Sequence, residues 1–326
     1  MEFITKVNLK KASWQLRLGH PVVAIGSCFA VEIGRRLRER LFDIDINPAG
    51  TLFNPSSVAA TITRILDRRE YTSDELVQSP DGMWHLMSHH SEFSSLDPDK
   101  VIEKANKRLL HVAKMLKEPE LSLIVTFGSA KAFRYLASGE IAGNCHKLPA
   151  YDFDLVDLSL EQIVSEWDSI LCRLLVENPS IKIIFTVSPV RHKAYGLVAD
   201  RISKSILLLA CHQLVKNHPD NTDYFPAYEI FVDELRDYRF YAADMVHPSD
   251  VGADYVFERF ESAYLADDEN DLRRQCLSIT RRLKHRQLNE STIQSIEFET
   301  ETQRQISALE VVSPHIVKVL ERFKKE

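Results

Sequence analysis

The stretch P-V-V-A-I-G-S-C-F-A, residues 21 to 30, runs an apolar segment into two small nucleophiles, and V-E-I-G-R-R-L-R-E-R follows from Val31. Val22 to Ile25 is too short for a helix, and apolar character without alternation suits a strand covered on both faces. Leu121 to Phe127 and Ile181 to Val187 read the same way, uninterrupted and rich in β-branched residues. Ile44 to Asn47 and Tyr228 to Val232 are weaker strand candidates. Between them, helical periodicity covers about 30–41, 55–68, 99–117, 159–177, 200–217 and 250–264. Strands alternating with helices of that length predict a mainly parallel, three-layer α/β domain.

Ligands of such sheets bind beyond the carboxyl ends of the strands, where loops meet helix N-termini. Ser27 and Cys28, then Gly128 and Ser129, then Ser188 to His192 all fall there. The net charge of -6 carries no basic footprint, so nucleic acid is not an expected partner. No run of about 18 apolar residues is present and the first residues lack a signal-peptide pattern, so a soluble, cytoplasmic protein without membrane insertion is expected. The 5 cysteines form no C-x-x-C pair, which argues against disulfides and zinc ribbons.

In Y-A-A-D-M-V-H-P-S, Asp244 stands three residues before His247. A carboxylate there can accept the Nδ1 proton of the imidazole and leave Nε2 free as a general base. Joined to a nucleophile at a helix N-terminus, the pair would complete an acyl-transfer site, since chain order is free in such triads. Cys28 is the first choice of attacker; an inert or ligand-binding Cys28 and an attacking Ser27 stay open. His89, His90, His146 and His192 are dispersed, and no metal is expected. Arg191 and His192 suit an anionic or hydroxyl-rich ligand, and Arg191 equally a surface ion pair.

G-S-C-F-A at Gly26 to Ala30 resembles the motif that names the GSCFA family. N-P-A-G-T-L-F-N-P (47–55), H-H-S-E-F-S (89–94), T-F-G-S-A (126–130), N-C-H-K-L-P (144–149), S-P-V-R-H (188–192), Y-F-P-A-Y-E (224–229) and the run 233–249 look like the same family. That family is similar to the SGNH, or GDSL-type, hydrolases. The resemblance implies a flavodoxin-like fold with a five-stranded parallel sheet of order 2-1-3-4-5. It places Cys28 at the nucleophile position and Asp244 and His247 at the acid and base. It also implies oxyanion donors at Gly50 and in the block Gly128-Ser129-Ala130, where alanine replaces the usual asparagine and Asn144 is the substitute considered.

The resemblance covers about residues 1–264, leaving 265–326 as a charged helical extension or partly ordered tail. In that segment a basic run such as Arg281 to Arg286 reads as a solvated face. The implied function is hydrolysis or transfer of an acyl group, often acetyl, from an ester or thioester on a carbohydrate or lipid, with no cofactor. The alternatives are a catalytically degenerate binding module and, more weakly, a scaffold whose C-terminal extension recruits a protein partner.

Overall fold

The computed structural model describes residues 4–285 and 292–324; Arg286 of the basic run lies outside them. Five strands form the central sheet: Pro21–Gly26 (β1), Asp43–Ile46 (β2), Ser122–Phe127 (β3), Lys182–Val187 (β4) and Thr222–Phe225 (β5). Their order is β2-β1-β3-β4-β5, and every pairing is parallel. Each inner strand is apolar on both sides because each side meets a separate core. Val23, Ile25, Leu123, Val125, Ile183 and Phe185 face one cluster, and Val22, Ala24, Ile124 and Ile184 face the other. The alternation of period two was hidden in sequence because both halves of it are hydrophobic.

Helices Cys28–Glu39 (α1), Pro55–Asp67 (α2), Pro98–Met115 (α3), Leu160–Glu177 (α4), Leu197–Asn217 (α5) and Asp250–Tyr264 (α7) link and cover the strands. Helices α2 to α5 bury Val58, Ile62, Leu109, Trp167, Leu171 and Leu207 in the first core. Helix α1 buries Phe29, Ile33 and Leu37 in the second. Its Gly34 lies so close to β2 that an added Cβ would stand 2.7 Å from Ile46 Cγ1.

The reading of Tyr228 to Val232 as a strand is corrected. Ala227–Glu229 (α6) is a helical turn that runs into a π-helical turn at Ile230–Glu234, and the fifth strand is the preceding T-D-Y-F segment. Ala227, Ile230 and Phe231 are buried at helical spacing; over five residues an apolar run does not reveal its period. Two small antiparallel sheets had no counterpart in the sequence reading. Leu76–Gln78 pairs with Trp84–Leu86, and Lys131–Tyr135 pairs with both Ile141–Ala142 and Phe153–Asp157.

After α7 the described residues form Asn270–Lys284 (α8), Ile293–Val312 (α9) and Pro314–Phe323 (α10). Part of their apolar content is buried, whereas Ile293, Ile296, Val311 and Val312 of α9 are exposed. Cys276, Ile279, Ile306, Leu309, Ile316 and Leu320 join the core that holds the buried side of α1. Polar contacts bind the same surfaces: Thr280 Oγ1 donates to Glu39 O (2.6 Å), and Arg322 pairs with Asp43 (2.9 Å).

Candidate functional site

The end of β1 turns sharply at Gly26, whose φ is +133°. An added Cβ would stand 2.1 Å from Thr126 O of the neighbouring strand, so only glycine fits. Asn47 Oδ1 accepts the Gly26 N–H (2.9 Å), and Gly26 O accepts the Leu52 N–H (2.8 Å), which fixes the turn against the β2 loop. Ser27 follows as the N-cap of α1, 1% exposed, with its Oγ accepting from Phe29 N (3.3 Å). Cys28 is the first residue of α1 and half-buried. Burial pushes its thiol up, and Glu32 acts the same way. Lys204 and the N–H groups of Phe29 and Cys28 pull it down without outweighing burial.

Ser27 and Cys28 open into a pocket of about 290 Å³ whose far wall includes Val246 and His247. Phe53, Gly128, Ser129, Ser188 and the loop from Val190 to Ala194 complete the lining. His247 Nδ1 lies 2.5 Å from Asp244 Oδ2. The other carboxylate oxygen accepts the N–H groups of Val246 and His247, each at 3.0 Å. Met245 between them takes φ +60°, so the chain curls around the carboxylate. The N–H of His247, that of Val246 and the imidazole together hold the Asp244 carboxyl far below the usual carboxylate range. Lys193 Nζ donates to Asp244 O (3.0 Å), tying this loop to the one after β4.

Neither Gly50 nor Asn144, the oxyanion donors implied by the resemblance, lines this pocket. Gly50 donates its N–H to Asn47 O (2.8 Å), and Asn144 Oδ1 accepts from His146 N (2.8 Å). Gly128 lines it, but its N–H and that of Ser129 are both given to Phe53 O, at 2.8 Å each. In the first turn of α1, Phe29 N donates to Ser27 Oγ (3.3 Å) and Ala30 N to Ser27 O (2.9 Å), and the N–H groups of Phe29 and Cys28 both favour negative charge on the Cys28 sulfur. Arg191 and His192 line the pocket, and both are held by Asp200: Arg191 Nε lies 2.6 Å from Oδ2, and His192 N donates to Oδ1 (2.8 Å).

The sequence profile of the GSCFA family matches residues 21–260, which is most of the chain and includes every pocket-lining residue. The chain belongs to the GSCFA family. Among curated protein sequences none matches it significantly. Among solved structures, a Clostridium thermocellum family 3 carbohydrate esterase is similar at 11% identity, over 78% of this chain and 96% of that one, with a TM-score of 0.34. A likeness that loose carries no argument about activity.

In this GSCFA chain the sequence reading missed a buried polar stripe on α5. Asp200, Ser203 and Lys204 are all buried and face the strand ends. Ser203 Oγ accepts from Ala130 N (2.7 Å), and Lys204 Nζ donates to Gly128 O (2.7 Å) and Ser188 O (2.8 Å). The signal lay in the spacing: 200, 203 and 204 continue the helical period of the buried Leu207, Cys211 and Leu214, with polar residues in core positions.

The other histidines sit beside the small sheet. His89 is buried between Tyr71 and Phe93, with ring centroids at 4.8 and 4.7 Å, and His146 stacks on His85 at 4.3 Å. Among the described residues no group of three or more His, Cys, Asp or Glu is arranged to hold a metal ion, and no helix is long and apolar enough to cross a membrane.

Burial holds His89 down to about 3 and His146 to about 4, from 6.5. Their folded values lie below the unfolded one, so below pH 6.5 the unfolded chain takes up protons that the fold refuses. Stability is therefore full above that value and falls on acidification, by up to ~1.4 kcal/mol per pH unit for each ring until its folded value is passed. Urea midpoints measured at about pH 7.5 and 5.5 should differ less in His146→Gln than in the unmodified protein. Equal differences would show that His146 does not contribute to the pH dependence.

Proposed function

We propose that the chain is an SGNH-like hydrolase or acyltransferase that opens an ester or thioester through Cys28, with His247 as general base and Asp244 orienting it. The supporting observation is that Cys28, at the N-terminus of α1, and His247, with Asp244 on its Nδ1, line one pocket. Because burial keeps Cys28 a thiol at rest, proton transfer to Nε2 accompanies the attack of Sγ on the acyl carbon. The oxyanion then lies against the N-terminus of α1, with the N–H of Cys28 as its donor. Collapse expels the alkoxide or thiolate, which takes the proton from His247; water or a second acceptor attacks the thioester by the same route in reverse.

Phe53, Val190, Ala194 and Val246 make the lining suit a short apolar acyl group, with a carbohydrate or lipid as its carrier. Residues 1–264 would form the SGNH-like unit and 265–326 a helical extension. A binding module is the second reading, favoured by the prior engagement of the Gly50 and Gly128 N–H groups.

Intact mass after incubation with p-nitrophenyl acetate is the test. One acyl adduct, or steady product release, should vanish in Cys28→Ala and persist in Ser27→Ala, which loses only a helix cap worth about 1 kcal/mol. The reverse pattern would move the nucleophile to Ser27. Absence of any acylation in the unmodified protein would favour the binding module.

A further inference from the structure

Lys204 is 0% exposed and sits on α5 behind the pocket. Its ammonium donates to Gly128 O and Ser188 O, the carbonyls just past the ends of β3 and β4, and both of those residues line the cavity. Among the described residues no carboxylate lies within salt-bridge distance of it; Asp200, one turn earlier, already pairs with Arg191. A buried ammonium held by two neutral carbonyls and the Tyr228 ring, 5.8 Å away, is costly, and a hydrophobic residue would fill the same space more cheaply. The half-buried Arg191 and the buried Asp200 and Lys204 leave one positive charge uncompensated beneath Cys28.

We propose that Lys204 is the counter-ion of Cys28: a positioning residue that stabilises the negative charge gathering on sulfur as its proton leaves. The inference rests on reading Cys28 as the reacting group. Around Cys28, Glu32 on α1 opposes an anion, whereas Arg191, His192 and Lys193 after β4 and His247 before α7 share the pocket with it. Around Lys204 the charged groups are Asp200, Arg191 and Cys28 itself, and burial holds the ammonium down to about 8. With the sulfur anionic, the buried cluster becomes neutral. The same ammonium ties two strand-end loops together, so its charge and the shape of the pocket floor are supplied by one side chain.

The test is the rate of Cys28 alkylation by iodoacetamide, read by peptide mass spectrometry, with the exposed Cys172 as internal reference. At pH 7, below the Lys204 value of about 8, the ammonium is charged, and in Lys204→Met the alkylation rate of Cys28 should fall about threefold or more while that of Cys172 stays put. An unchanged Cys28 rate at pH 7 in a folded Lys204→Met protein overturns the inference. Should that variant not fold, Lys204→Gln, which keeps amide donors for the two carbonyls and loses the charge, is read in the same way; an unchanged rate overturns the inference equally. Alkylation needs no acyl substrate. A slowed Cys28 alkylation in a protein that never acylates keeps this inference and removes the hydrolase, and normal acylation with no change in alkylation does the opposite.

Discussion

Replacing His247 with alanine is expected to slow acylation of Cys28 by about 10²- to 10⁴-fold, the range typical of a lost general base, while leaving the fold unchanged. The ring is half-exposed, and its hydrogen bond runs to Asp244 of the same loop, so truncation opens no cavity in either core. Asp244→Asn should also be slow, for a different reason. The amide can offer N–H to Nδ1 and select the tautomer with its proton on Nε2, leaving no base toward the thiol. Because backbone N–H groups and the imidazole hold Asp244 far down, it stays a carboxylate through the whole working range, and loss of activity on mild acidification cannot originate there. Single-turnover rates with a chromogenic ester decide the matter. Equal rates in His247→Ala and the unmodified protein would remove the imidazole from the chemistry.

Gly26→Ala should be the most damaging conservative change in the chain. Its Cβ would meet Thr126 O at 2.1 Å, a backbone atom of a paired strand that no rotamer change can move, at a φ that L residues rarely adopt. Relief requires parting β1 from β3, so a loss of about 4 kcal/mol or more is expected, with most of the protein recovered insoluble. Gly139→Ala is the matched control. It has a positive φ too, +73°, but open space around it, so it should cost only about 1 kcal/mol. Comparable urea midpoints for the two variants would contradict the steric account.

The strands legible in the sequence were those buried on both faces, because the polar residues of β3 and β4 (Ser122, Thr126, Lys182 and Thr186) leave an unbroken apolar run between them and β1 has none. The edge strand β5 was overlooked because T-D-Y-F carries two polar residues, and the neighbouring Y-E-I-F-V looked more strand-like while its burial follows a helix. The small sheets were invisible for a related reason: in K-A-F-R-Y and W-H-L only part of each strand is buried, and the polar residues between mask the alternation.

Within the site, a three-residue spacing sufficed to place Asp244 on His247, because that contact is made inside one loop. The contacts of Gly50 with Asn47 O and of Asn144 with His146 N are just as local, but that neither residue lines the pocket depends on how distant loops pack, and no local pattern carries that information. Lys204 was passed over because a lysine in an amphipathic helix reads as solvated. Only the phase of the buried stripe on α5, continued from Leu207 to Leu214, shows that it points inward.

The pocket gathers residues 27–28, 53, 128–129, 188, 190–194 and 246–247, and the hidden side of α1 shares its core with α8, α9 and α10. On a ribosome, therefore, Cys28 emerges long before His247: a growing chain that stops short of residue 247 lacks the imidazole proposed to take the thiol's proton. The scaffold beneath α1 closes only once α8, α9 and α10 have been made. Contacts this distant along the chain make assembly slow, and they also mean that the reactivity proposed for Cys28 waits on residues made far later than the thiol itself.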